Sequence, residues 1–312
     1  MRVIKKSLQG LFFIGICYYT EMKSNKPLFG VAGFPVNFFN TPYKKNRDNI
    51  FKWLNDLDLN ILELQCTYGI RMGEDQALRY KKLAKENNII LTIHAPYYVN
   101  LGSKKLETVK NSKNEIIKAF KLAKLIGSKR IIFHPGGGHG KTIENRVEGV
   151  DQIIRSLNEI NNEIDIEDIK IYPEIGGKVA SLGSLDEIIK ICANVSYAYP
   201  CLDLAHLHAR ENGILKSENE IIKVLDKIEN RLGRESLEKI HFHMYPVDYT
   251  IGGEKIHKAF GDKMDDGIEL YKPLAEDFIS AIKTKNIKPL IICEAHNTQE
   301  IGAMIMRDIY NK

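Results

Sequence analysis

Six short apolar runs, each ending in a histidine or an acid, constrain this chain more than any other feature. Ile90-Leu-Thr-Ile runs into His94 and is stopped by Pro96, and Arg130-Ile-Ile-Phe runs into His134. Lys170-Ile-Tyr-Pro ends at Glu174, and Pro200-Cys-Leu ends at Asp203 with His206 three residues on. Lys239-Ile ends at His241 and His243, and Pro289-Leu-Ile-Ile-Cys ends at Glu294. Continuous apolar runs of this length are strands buried on both faces, as in parallel sheets. Sheets and barrels of β/α units carry their chemistry at the carboxyl ends of such strands.

The rest of the chain supplies the partner helices. Strands are expected at 28–32, 61–65, 89–93, 130–133, 169–172, 199–202, 240–243 and 290–293. Helical patterns, with apolar residues recurring at three and four, fall at 47–57, 75–86, 109–126, 145–160, 184–192, 217–228, 268–284 and 299–310. Gly127 supplies a stop for the third of these. Eight strand–helix units favour a closed barrel over an open sheet, and such a barrel needs about 250 residues. No composition shift divides the 312-residue chain. The expectation is α/β: a single (β/α)8 TIM barrel over 22–312, its active site at the C-terminal rim of the strands.

Residues 1–21 stand apart. Lys5-Lys6 precedes an apolar run from Leu11 to Tyr19, too short to span a bilayer as a helix. No small-residue cleavage site follows it, and Met22 offers an alternative start. The segment is expected to be an N-terminal extension, a mis-start or a targeting segment outside the fold. Five scattered cysteines without a Cys-x-x-Cys pair suggest a reducing compartment, hence a cytoplasmic protein, nucleoid-associated if archaeal or bacterial. A net charge of +5 is compatible with a polyanionic partner but too small to require one. Gly136-Gly-Gly-His-Gly140 lacks the residues of a P-loop, so no organic cofactor is expected.

On a barrel, His94, His134, Glu174, Asp203, His206, His243, His257 and Glu294 converge on one rim. Neutral imidazole with carboxylate is the ligand set of zinc, manganese or iron. One ion takes three or four protein ligands, so this inventory suits two or three ions, with Glu174 a natural bridge. A single strand-end histidine is more often structural, and a lone acid there is usually a helix cap. Coincidence changes those odds, because all nine histidines fall between 94 and 296 and most sit at strand ends. His139 and His296 fit the structural reading, as does whichever of His241 and His243 points toward the helices. Residues two apart on a strand share a face, so separating those two requires an irregular end.

At this point the chain resembles a family. Ile93-His94-Ala-Pro-Tyr97-Tyr-Val-Asn100-Leu-Gly, Phe133-His134-Pro-Gly, Pro173-Glu174 with Ser181-Leu-Gly183, Cys201-Leu-Asp203-Leu-Ala-His206 and Ile292-Cys-Glu294 look like the signature segments of endonuclease IV. Those family 2 apurinic/apyrimidinic endonucleases are TIM barrels with three zinc ions, within the xylose isomerase-like superfamily; this chain is similar to their divergent archaeal-type members. The resemblance implies hydrolysis of the phosphodiester 5′ to abasic sites in double-stranded DNA, as in base excision repair, by a monomer that needs no membrane. It implies a first ion on His94 and His134, bridged by Glu174 to a second on Asp203 and His243, with Glu294 bridging nearby. A third would lie on His206 and His257.

Glu174 and Glu294 would orient the nucleophile. Where the family shows an aspartate two residues before its last histidine, this chain has Lys255, and Glu254 would have to reach round in its place. The resemblance also places Tyr97 beside the extruded abasic nucleotide. Asn100, Arg71, Arg210 and Lys258, with Lys104 and Lys105, are the candidate DNA contacts. Two other readings use the same rim. A sugar isomerase or epimerase needs one metal, on Glu174, Asp203, His243 and Glu294, and leaves the other four histidines without a role. A non-catalytic nucleic-acid-binding barrel would hold a partial metal load.

Overall fold

The computed structural model describes residues 24–137, 140 and 142–312, so both the N-terminal segment and His139 lie outside the described residues. Among the described residues ten strands form: β1 (Leu28–Ala32), β2 (Ile61–Gln65), β3 (Ile90–His94), β4 (Arg130–Phe133), β5 (Lys170–Pro173), β6 (Cys201–Asp203), β7 (His241–His243), β8 (Val247–Thr250), β9 (Gly253–His257) and β10 (Leu290–Cys293). Eight of them are hydrogen-bonded in the order β5-β4-β3-β2-β1-β10-β7-β6, every pair parallel. Single parallel bridges, Ile171 to Ala198 and Glu174 to Cys201, close the seam between the two ends of that order. The result is the expected (β/α)8 barrel.

The helices are α1 (Ile50–Asp56), α2 (Glu74–Glu86), α3 (Leu106–Ile126), α4 (Ile143–Glu163), α5 (Leu185–Asn194), α6 (Leu204–Arg210), α7 (Glu218–Leu232), α8 (Arg234–Glu238), α9 (Ala275–Lys285) and α10 (Gln299–Asn311). Gly127 ends α3 at φ 77°, a left-handed cap that a side chain would strain. Ser184 and Glu187 form a reciprocal capping box at the start of α5. Along each strand alternate residues point out to the helices or into the barrel. Phe242 faces out, 5.1 Å from the ring of Phe278 on α9, while His241 and His243 on either side of it face in.

That outer layer is the larger core, the one between sheet and helices. Inside the barrel, two small apolar clusters fill the lower part: Leu28, Ala32, Ile61, Leu290 and Ile292 form one, and Ile132, Tyr172 and Cys201 the other. The four described cysteines are all free, and burial pushes the Cys66 thiol up to about 11. Among the described residues no helix is long and apolar enough to cross a membrane.

Among the described residues, the start of α9, a hairpin and the short helices α6 and α8 depart from the expected elements. The helix expected over 268–284 begins only at Ala275, because Pro273 disfavours helical backbone in the residue before it. Between β7 and α9 the chain forms an antiparallel hairpin, β8–β9, turning at Ile251-Gly252. The short α6 follows β6 directly, because Asp203 Oδ1 accepts the backbone N–H of His206 at 2.7 Å and so caps it.

Candidate metal centre

Seven of the eight expected ligands meet at the carboxyl rim in three neighbouring groups, and the eighth, Glu294, groups with Glu63 and His243. His94, His134 and Glu174 offer ligand atoms within 4.8 Å of one another, as do Glu174, Asp203 and His243, and likewise His206, Glu254 and His257. Glu174 belongs to two of the groups. It is fully buried, with Oε2 2.8 Å from His94 Nε2 and Oε1 3.2 Å from His243 Nδ1. Glu294 stands at the edge of the second group, 3.8 Å from His243 Nδ1, where Gln65 Nε2 donates to it at 3.2 Å.

Three of the histidines are oriented by backbone carbonyls. Nδ1 of His94 donates to Ala95 O at 2.9 Å, that of His206 to Ile175 O at 2.9 Å, and that of His257 to Glu294 O at 3.0 Å. Each ring is thereby turned so that Nε2 faces a carboxylate: Glu174 for His94, and Glu254 for both His206 and His257. A ligating imidazole normally has its second nitrogen tied in this way. Convergent nitrogens with tied backs, interleaved with buried carboxylates, fit divalent ions of the zinc class.

Electrostatics within the cluster is strongly perturbed. Burial opposes charge on His94, but the hydrogen bond to Glu174 and the charges of Glu174, Glu63 and Glu294 together outweigh it and lift the imidazole to about 9. Burial, with neighbouring histidines, pulls His134 down to about 4. Burial pushes the Asp203 carboxyl up to about 7. Glu174 is also buried, yet its imidazole neighbours hold it well below the ordinary carboxylate range. Such divergence among close groups marks a functional site. A cleft of about 400 Å³ opens above, walled by Tyr97, His134, Gly177, Lys178 and Glu294.

Glu254, not Lys255, joins the third group. The β8–β9 pairing shifts register between Asp248 and Tyr249, with Asp248 opposite Ile256 and Tyr249 opposite Glu254, which leaves Lys255 as a bulge. Lys255 points outward to Asp248 at 2.8 Å. Gly177 makes room for the group: a Cβ there would lie 2.5 Å from Glu254 Oε2 and 2.6 Å from His206 Cδ2.

Several expected placements are corrected. Arg210 is not a surface contact for DNA; it is 8% exposed, and its guanidinium donates to the carbonyls of Gly176, Lys178, Val179 and Ser181. Asn100 also turns inward, donating to Gly137 O at 2.9 Å, so it braces a glycine loop rather than facing a ligand. Lys258 lies over the Tyr271 ring at 4.4 Å. His241 does not point toward the helices; it lies inside the barrel one layer below His243, as residues two apart on a regular strand must. Tyr97 and Arg71 are exposed at the rim, and Lys104 reaches Asn145 and Glu148. His296 is exposed and outside the three groups.

Three residues at the site had no motif to announce them. Glu63 on β2 is fully buried beside His241 and His243. Gln65 spans Glu63 and Glu294. Tyr245 donates to Asp203 Oδ2 at 3.0 Å and lies 4.1 Å from the ring of His257. An acid in the middle of an apolar strand, as in Ile-Leu-Glu63-Leu-Gln65, was the available signal.

Comparison with known proteins agrees with this geometry. The family described as xylose isomerase-like TIM barrel matches residues 51–309. The uncharacterized protein MJ0133 of Methanocaldococcus jannaschii is 30% identical over 289 residues, 91% of this chain and 97% of that one. A probable endonuclease 4 of Halothermothrix orenii is 26% identical over 183 residues, 56% of this chain and 64% of that one. Among solved structures, endonuclease IV from Thermus thermophilus superposes with a TM-score of 0.62 at 15% identity, over 92% of this chain and 99% of that one. D-psicose 3-epimerase from Clostridium cellulolyticum superposes with a TM-score of 0.59 at 13% identity, over 90% of this chain and 91% of that one. At those identities the structural likeness speaks to the barrel alone.

Proposed function

The chain belongs to the xylose isomerase-like TIM barrel family, and from that premise we propose that it is a metal-dependent endonuclease hydrolysing the phosphodiester 5′ to abasic sites in double-stranded DNA. The observation that carries this reading is that the groups His94–His134–Glu174, Glu174–Asp203–His243 and His206–Glu254–His257, three of the five donor groups among the described residues, lie together on one rim. His94, His134 and Glu174 would hold one ion, Glu174, Asp203, His243 and Glu294 a second, and His206, Glu254 and His257 a third. Zinc is the first choice for this nitrogen–oxygen set, with manganese or iron as substitutes. Ions held there supply Lewis acidity toward phosphate oxygens and lower the pKa of water.

The chain's own groups do the positioning. Glu174 and Glu294 orient the attacking water, with Glu294 held by Gln65. Tyr97, 61% exposed and edge-on to Tyr68 at 6.1 Å, stands where a duplex would rest on the rim. An abasic sugar is easily extruded into the cleft because no base must be unstacked. Arg71, Lys104 and Lys105 are the rim cations left for phosphate contacts, which makes binding salt-dependent.

The epimerase reading would use only the middle group, Glu174, Asp203, His243 and Glu294. The deciding experiment incubates the purified protein with a duplex carrying one abasic analogue, with and without chelator. Cleavage 5′ to the lesion, abolished by chelator and by His134→Ala, is expected. An intact duplex together with turnover of a ketose would transfer the assignment to the epimerases.

A further inference from the structure

Three histidines of the centre are backed by carbonyls through Nδ1 and face the site with Nε2. His243 is turned the other way. Its Nδ1 faces the site, 3.2 Å from Glu174 Oε1 and 3.8 Å from Asp203 Oδ2. Its Nε2 points down the barrel, 3.1 Å from Glu63 Oε1, where no carbonyl takes the role seen elsewhere. We propose that Glu63 is the positioning residue of the middle group, a buried carboxylate set against the Nε2 side of His243 that favours the proton there, so that Nδ1 presents its lone pair beside Glu174 and Asp203. This rests on the metal-centre reading above.

Glu63 is itself firmly placed. It is fully buried on the inner face of β2, with Thr92 Oγ1 donating to Oε2 at 2.9 Å and Gln65 Nε2 donating to Oε1 at 3.2 Å. His241 Nε2 lies 3.1 Å from Oε2. A carboxylate without such partners would be prohibitively costly at this depth. It meets His243 at Nε2 whereas Glu174 meets it at Nδ1, so it stands behind the ligand atom of the middle group, although Glu63, His243 and Glu294 also offer ligand atoms within 4.8 Å of one another. A carboxylate behind an imidazole fixes the tautomer and raises its basicity, and removing such a partner typically costs about 10–100-fold in metal affinity. The same Gln65 amide also donates to Glu294 at 3.2 Å, so Glu63 and Glu294 are fixed relative to each other.

The test compares full-length wild type, Glu63→Gln and Thr92→Val, each loaded with zinc or cobalt(II). Zinc release is followed by competition with a chromogenic chelator, and the cobalt protein by its visible bands. Expected is one ion loosened by about 10–100-fold in Glu63→Gln, with altered cobalt bands and the remaining ions unchanged. Thr92→Val should loosen the same ion by less, and decides alone if Glu63→Gln does not fold. Wild-type affinity and bands in both variants would overturn the role of Glu63, as would equal loss of every ion. Wild type that takes up no divalent ion would instead remove the metal-centre reading itself.

Discussion

Glu254 and His257 face the same way although three residues separate them on one strand, with Glu254 Oε1 3.1 Å from His257 Nε2. Regular strands put residues two apart on one face, so three apart should oppose. The bulge at Lys255 adds one residue and restores the parity. Lys255 and Ile256 both project to solvent in consequence. This relationship gives the first prediction. Glu254→Ala should lose one ion per chain, while Lys255→Ala keeps all of them. Deleting Lys255 leaves Glu-Ile-His, whose two-residue spacing also shares a face, so that variant should retain the ion. Metal content after dialysis reads all three; loss of the ion on deletion would count against the parity argument.

Gly177 tests the same group from the other side. A methyl there would press on Glu254 and His206. Overpacking of this kind costs about 1–3 kcal/mol. Gly177→Ala should therefore lose the ion of His206, Glu254 and His257 first, with little change at His94 and His134. Zinc titration of the variant should show one weakened class of site.

Arg210 and Arg71 separate structure from DNA contact. Arg210 donates to four carbonyls of the loop after β5. At about 0.5–1.5 kcal/mol per bond, Arg210→Ala should lower stability by roughly 2–6 kcal/mol. Arg71→Ala should leave the denaturation midpoint alone but reduce the salt slope of duplex binding by about one. Denaturant melts and binding isotherms at several salt concentrations check both.

The Arg146–Glu187 pair predicts a pH dependence of stability. Burial alone would raise the Glu187 carboxyl, but Arg146 at 2.7 Å, with the Ser184 and Gly183 N–H groups, holds it below its ordinary value of 4.5. The unfolded chain therefore binds the proton first. The stabilisation is complete above pH 4.5 and is lost as pH falls through the depressed folded value. Glu187→Gln should be less stable than wild type at neutral pH, with the gap closing in acid. Melting temperatures across that range would show a constant gap if the pair contributes nothing through ionisation.

Much of the fold was legible because it is written locally. An apolar run ended by Pro96 at β3, or by Gly127 after α3, needs only neighbouring residues to declare itself. The polar residues at strand ends were legible for the same reason, since parallel strands in a barrel deliver their carboxyl ends to one rim whatever the loops do. Asp203 shows that the plain and the functional readings coexist: Oδ1 caps α6 while Oδ2 faces the site.

The sequence by itself determined the eight-strand order and the residues at the rim, because periodicity and strand ends depend on contacts a few positions apart. Only the tertiary structure decided that Arg210 and Asn100 turn inward, that Glu254 replaces the position of Lys255, and that Glu63 lies behind His243. Those outcomes depend on groups far apart in the chain, on a one-residue bulge and on which unpaired carbonyls lie within reach. The energy that selects among them comes from burial and from satisfying polar groups after the barrel has closed.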